Sequence, residues 1–311
     1  HYGKKSEWTE SDSKYIDEDE VSDGSGQDNS SGGSSGGITP GGGTTDVGWR
    51  QENNVWYFKY PDGNYIKNNW LLWNSKWYLF DNSGKMLTGW QQKDGHWYYF
   101  DTNYGGMKTG WLKEGDKWYY LNSSGMMQTG WLYHKQKWYY LNISGVMQTG
   151  WHTLNNKTYY FDPTSGAMKT KWIKIGTNQW YYLNENGTLK TGWQTLNNKT
   201  YYFETNGLMQ TGWKRLDSKW YYFGNANDGA MKTYWQKVNN AYYFLGSDGI
   251  MRTGWQSIWG KWYYLNSSGA MLTGWQKIDN NWYLLQSNGA RIEGWYTNGK
   301  NRYYLMPLTG V

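Results

Sequence analysis

The stretch from Gly110 to Thr129, GWLKEGDKWYYLNSSGMMQT, returns in recognisable copies from Trp49 to the end of the 311-residue chain. The copies open at Trp49, Trp70, Trp90, Trp111, Trp131, Trp151, Trp172, Trp193, Trp213, Trp235, Trp255, Trp275 and Trp295, with 20 to 22 residues between successive tryptophans and the last copy cut short. Self-similarity at a short fixed period marks a solenoid or related array. Within the unit, residues 117–122 (KWYYLN) are rich in aromatics and read as a strand; Ser123, Ser124 and Gly125 supply a turn, and residues 126–129 a second short strand. The pair is expected to form a β-hairpin, with Gly125 at positive φ in a type I turn plus bulge. A lone hairpin is marginal in water, so each must stack on its neighbours, and the array draws its stability from interfaces. The fold class is therefore all-β, a repeat array of β-hairpins, and the functional surface should lie between hairpins.

Side chains alternate faces along a strand, so Trp118 and Tyr120 point one way and Tyr119 the other. Trp111, in the connection before the strand, adds another flat side chain, and Tyr140 is the next unit's equivalent of Tyr120. Three rings converging at a seam, with Met127 nearby, form a box open to solvent. That shape suits a quaternary ammonium ion, which has no N–H to donate and is held by ring quadrupoles and methyl contacts.

The recurrent GW…KWYYLN…G.M.TGW resembles the choline-binding repeats of pneumococcal and related bacterial surface proteins over about residues 48–311. One copy would be weak; thirteen are specific. The resemblance implies a left-handed β-solenoid in which each choline is held by two Trp of one repeat and a Tyr of the next. It implies binding to choline or phosphocholine on teichoic and lipoteichoic acids, hence a secreted protein at the bacterial cell surface.

Carried over position by position, the pattern gives four early triads: Trp70, Trp77 and Tyr99; Trp90, Trp97 and Tyr120; Trp111, Trp118 and Tyr140; Trp131, Trp138 and Tyr160. Three more follow: Trp172, Trp180 and Tyr202; Trp213, Trp220 and Tyr243; Trp275, Trp282 and Tyr304. Five seams depart from it. Thr158 and Thr200 stand where the second Trp is expected, and Ala241 takes that place after Trp235, leaving Trp235, Tyr242 and Tyr264 as an incomplete candidate. Leu79 and Leu284 replace the closing Tyr for the seams opening at Trp49 and Trp255, so these are expected to keep the fold without the ligand. The middle tyrosines of each WYY, such as Tyr119 and Tyr139, are read as core. The paired tryptophans are read as functional, because hairpins of this same chain carry a small residue where others place an indole.

Composition agrees with an array. There are 25 Trp and 31 Tyr against only 7 Phe, at a mean hydropathy of −0.94, so the rings are embedded in polar sequence. No apolar run approaches transmembrane length. Residues 1–46 hold ten acidic residues against Lys4, Lys5 and Lys14, a net of −7; the remainder holds 28 basic and 15 acidic residues, a net of +13. We divide the chain into an acidic N-terminal segment with a Gly/Ser-rich linker (1–46) and a repeat array of about 13 hairpin units (47–311). The run from Asp17 to Glu20 lacks the loop glycines of a calcium site and reads as solvated charge. Trp8 and Tyr15 have the look of a decayed repeat. His1 reads as the start of a processed or recombinant chain, so export is inferred from the family.

No catalytic constellation assembles. There is no cysteine, and His1, His96, His134 and His152 show no metal spacing. No stretch of about 100 residues lies outside the repeats to house a cleft. The reading is a non-catalytic choline-binding protein with no cofactor, no nucleic-acid partner and no membrane span, which modulates choline-dependent cell-wall hydrolases or presents its N-terminal segment to host surface proteins as an adhesin. A glucan-binding repeat protein would share the YYF style but has no need of paired indoles. A single-strand nucleic-acid binder could use the basic body, yet caged rings make a poor continuous platform.

Overall fold

A computed structural model describes residues 47–307. Among them there is no helix, and 26 strands pair into thirteen two-stranded antiparallel sheets. The chain is an all-β tandem array of hairpins. The acidic segment 1–46, with Trp8 and Tyr15, lies outside the described residues.

The pairing corrects the expected hairpin. Gly110–Glu114 pairs with Lys117–Leu121, Trp111 facing Tyr120 and Lys113 facing Trp118; Trp111 is thus a strand residue. Residues 126–129 form no second strand, and Met127 makes only an isolated bridge to Leu121. The true turns are the short steps between strands, in most of which both residues take positive φ, as at Asn53 and Asn54 (52° and 63°), Asn197 and Asn198 (48° and 61°), and Asn239 and Asn240 (48° and 67°). Turns of this hand match the twist of the flanking strands, and Asn tolerates them best after Gly. Ser123 to Gly125 is a turn as well. Gly125 has φ 77°, its N–H donates to Asn122 O at 2.8 Å, and Asn122 Oδ1 accepts the Met126 N–H at 2.9 Å. The positive φ favours glycine there, and a Cβ on Gly125, 2.3 Å from Met107 Sδ, would in addition force that side chain to move.

By backbone proximity the array divides into two compact units, one holding residues up to 150 with 163–167, the other 151–162 with 168 onward. In each, the last residue of the second strand is fully buried: Phe100, Leu121 and Leu141 in the first unit, Leu183, Phe203, Phe223, Leu245 and Leu265 in the second. These side chains share a strand face with the first tyrosine of each WYY. A single backbone bond recurs from hairpin to hairpin. The amide two residues after the turn glycine donates to the carbonyl of the second-tryptophan position one repeat earlier: Met127 to Trp97 (2.7 Å), Met147 to Trp118 (2.8 Å), Met251 to Trp220 (2.8 Å). Taken as whole residues, backbone included, no polar or charged residue is fully buried among the described residues, so apolar and ring contacts supply most of the stacking energy.

Candidate functional site

The seam that opens at Trp111 shows how a hairpin builds a cage. Trp111 and Tyr120 are directly opposed across the sheet and Trp118 lies diagonally on the same face. Trp111 stands edge-on to Trp118 at 6.4 Å and 83°, so the two indoles form perpendicular walls. The third ring is Tyr139 of the next hairpin, 4.9 Å from Trp111. With Met147, Thr164 and Ser165 they enclose a cavity of about 260 Å³. Tyr139 is buried and Trp118, 37% exposed, is the outer wall.

The tyrosine that meets Trp111 across the seam is therefore Tyr139, not Tyr140. Tyr140 packs on Trp131 of its own hairpin at 5.3 Å. The same one-residue correction recurs. Trp70 meets Tyr98 at 5.0 Å, while Tyr99 packs on Trp90. Trp90 meets Tyr119 at 4.8 Å, while Tyr120 packs on Trp111. Trp172 meets Tyr201 at 5.0 Å, with Tyr202 on Trp193. Trp275 meets Tyr303 at 5.2 Å, with Tyr304 on Trp295. The cause is strand alternation. A tyrosine two residues from the second Trp shares that indole's face, so it cannot also reach back to the preceding hairpin, whereas the residue between them does. The middle tyrosines Tyr119 and Tyr139 are thus seam residues as much as core.

Tyr243 does meet Trp213, at 4.8 Å. Its hairpin keeps the common register, with Lys237 opposite Tyr242 and Gln236 opposite Tyr243, as Lys113 is opposite Trp118 and Leu112 opposite Tyr119, and Met271 N–H donates to Tyr242 O at 2.8 Å. By both criteria Tyr242, not Ala241, holds the second-tryptophan place after Trp235. That seam closes with Tyr263, 5.0 Å from Trp235, while Tyr264 packs on Trp255. Two seams read as lacking a closing tyrosine possess one. Trp49 is flanked by Trp56 at 6.2 Å and Tyr78 at 4.7 Å, and Trp255 meets Tyr283 at 4.8 Å; Leu79 and Leu284 point the other way. Trp131 and Trp138 pair at 6.1 Å in the first unit, and Tyr160 packs on Trp151 at 4.8 Å in the second.

Paired indoles also stand at Trp70 and Trp77 (6.2 Å), Trp172 and Trp180 (6.3 Å), and Trp275 and Trp282 (6.4 Å). Trp97 and Trp220 are exposed outer walls like Trp118. Where Thr replaces the indole, the wall is missing and the hydroxyls pair across the strands instead, Thr153 with Thr158 at 3.0 Å and Thr195 with Thr200 at 3.5 Å.

Charge around the seams varies with the residue that ends each first strand. At the Trp90 seam Glu114 accepts a hydrogen bond from Trp90 Nε1, and burial followed by Glu114 pushes the Tyr119 hydroxyl above its usual pKa. His134 holds the same place one hairpin on. Its Nδ1 lies 3.2 Å from Tyr120 Oη and its ring 6.3 Å from Trp111; burial, then Lys135, holds its pKa below the ordinary value. Lys113, Lys174 and Lys237 lie 6.0, 5.6 and 5.4 Å from the rings of Trp118, Trp180 and Tyr242. No group of His, Asp and Glu able to hold a metal ion occurs among the described residues, and no helix there is long and apolar enough to cross a membrane.

A family model described as choline-binding repeat matches residues 68–110, 108–148, 135–171, 148–189, 190–234, 232–273 and 272–311. Among solved structures the chain is similar to CbpJ from Streptococcus pneumoniae TIGR4, at 34% identity over 79% of this chain and 100% of that one, with a TM-score of 0.57. It is also similar to choline binding protein F from Streptococcus pneumoniae, crystallised in the presence of a peptidoglycan analogue, at 29% identity over 81% and 100% of the two chains, with a TM-score of 0.54. No curated protein matches.

Proposed function

The chain belongs to the choline-binding repeat family of hairpin solenoids, and from that premise we propose that it is a non-catalytic, multivalent receptor for choline-bearing polymer at a bacterial cell surface. The observation that carries the proposal is the Trp111–Trp118–Tyr139 cage with its cavity of about 260 Å³. Two perpendicular indoles and a phenol line one volume, which favours a cation that carries methyl groups instead of N–H donors. The equivalent sets are Trp49, Trp56 and Tyr78; Trp70, Trp77 and Tyr98; Trp90, Trp97 and Tyr119; Trp172, Trp180 and Tyr201; Trp213, Trp220 and Tyr243; and Trp275, Trp282 and Tyr303. Trp235, Tyr242 and Tyr263 make a phenol-for-indole version, and Trp131 with Trp138 supplies two walls of another.

Each ring contributes roughly 0.5 to 2 kcal/mol to a caged cation, so a single site binds free choline at about millimolar Kd. Several sites engaged by one polymer raise avidity by roughly 10² to 10⁴. The polymer is teichoic or lipoteichoic acid bearing phosphocholine, whose phosphates are drawn to the array's basic surface. Occupying these groups denies anchors to hydrolases that carry similar repeats, and we assign the protein a role as modulator of choline-dependent wall lysis.

Retention on a choline-like resin and elution by free choline at constant ionic strength test the binding. Passage through the resin at low salt would overturn it. For the cellular role the assay is lysis of choline-bearing walls by a choline-dependent hydrolase, with a choline-independent hydrolase as control. Slowing of the first alone is expected, and equal effects on both would refute modulation while leaving binding intact.

A further inference from the structure

The seam that opens at Trp255 has a complete set of rings, yet a cation of the protein's own lies against it. In the Trp111 seam the fourth wall is Met147, whose N–H donates to Trp118 O at 2.8 Å. In the Trp255 seam the residue in that backbone position, donating to Trp262 O at the same 2.8 Å, is Arg291. Its guanidinium carbon lies 5.8 Å from the centre of the Trp255 ring and 5.2 Å from that of Tyr283. The side chain is only 4% exposed. Nη1 donates to Glu293 Oε1 at 3.0 Å, and Nη2 donates to Met306 O, at the end of the last hairpin.

We propose that Arg291 is the built-in occupant of the Trp255–Trp262–Tyr283 seam, closing it to external quaternary ammonium ions and clamping the final hairpin without ligand. The inference rests on the choline reading of the other seams. Guanidinium stays charged at any accessible pH and stacks well on aromatic faces, so it satisfies the same ring quadrupoles that a choline headgroup would. A buried charge is tolerated when it is paired and hydrogen-bonded, and Glu293 and the Met306 carbonyl do both here. Choline cannot take its place on equal terms. It has no N–H to offer Glu293 or Met306 O, and expelling Arg291 would leave both without their donor.

Labelled choline in equilibrium dialysis with the full chain reads the number of sites. Trp255→Ala should leave that number unchanged, Arg291→Met should raise it by one, and the double variant should return it to the original value. Loss of one site in Trp255→Ala would overturn the proposal, as would a folded Arg291→Met protein with no added site. A second measurement needs no choline. The Arg291 side-chain protons should show an upfield ring-current shift in the unliganded protein, removed by Trp255→Ala. Its absence would sink the built-in occupant whatever the other seams bind, whereas its presence in a protein that binds no choline would fault the choline reading alone.

Discussion

Replacing Tyr139 by Leu tests which tyrosine closes a cage. Leucine keeps an apolar side chain against Trp111, to which Tyr139 lies at 4.9 Å, and removes the ring face. The seam carries its own reporter, the Met147 amide bonded to Trp118 O, whose exchange requires the joint to open and the ligand to leave. If Kd is about 1 mM, choline at ~100 mM should slow that exchange roughly 100-fold. Losing one ring costs about 0.5 to 2 kcal/mol, a factor of roughly 2 to 30 in Kd, so protection should fall to roughly 50-fold at one limit and 4-fold at the other. Because the quantity is a ratio with and without choline, any loss of basal stability in the variant divides out. Tyr140→Leu is the control: Tyr140 faces Trp131, so protection at Met147 should stay near the original value. Hydrogen exchange resolved to the segment 144–148 measures both. Retained protection in Tyr139→Leu together with loss in Tyr140→Leu would refute the cage geometry.

Lys171 and Tyr234 stand where other repeats have the glycine before Trp, and both are held at positive φ (62° and 61°, against 75° for Gly110). Lys171→Gly should stabilise the second unit by about 1 kcal/mol in urea unfolding, and Tyr234→Gly by less, because it also gives up ring contacts with Phe244 and Trp259. Leu121→Ala, at a fully buried position, should destabilise its neighbourhood by about 2 to 5 kcal/mol, seen as faster local exchange. His134 has a folded pKa below its unfolded value, first through burial and then through Lys135. The folded state therefore binds fewer protons in the interval between the two pKa values, and the stability it contributes is lost as pH falls from about 6.5 towards the folded value. The imidazolium so formed, beside Trp111 at 6.3 Å between rings, should weaken choline at that seam by like-charge repulsion, and His134→Leu should remove this pH dependence.

The period was open to reading because thirteen tryptophans repeat it, and the all-β class follows from the KWYYLN runs. The strand partner was missed although its signal was present. Asn53–Asn54, Asn197–Asn198 and Asn239–Asn240 are two-residue turn formers between alternating segments, whereas the SSG turn drew attention to the wrong side of the strand. The closing tyrosines were displaced for a similar reason: alternation already separates Tyr119 from Trp118 and Tyr120, and following both faces to their neighbours would have led to Tyr119. Tyr242 was equally legible, since it follows Trp235 at the same spacing by which Trp118 follows Trp111, so a count from the opening tryptophan reaches it and not Ala241. Arg291 is visible in the sequence as a basic residue in a column of methionines, but its meaning depends on Trp262, Tyr283 and Met306, which only folding brings around it.

The recurring amide bond to a cage wall has a mechanical consequence. The carbonyl that ties one hairpin to the next belongs to the outer indole of the cage, as in Met147 to Trp118, so the joint that tension must break is also the place a ligand would rivet. Pulled from its ends, such a chain should yield joint by joint, each rupture releasing about 20 residues, or ~70 Å of extended polypeptide. Empty joints would give way at lower force than riveted ones, so a tether under shear would lengthen in steps and shed load before its last anchors let go.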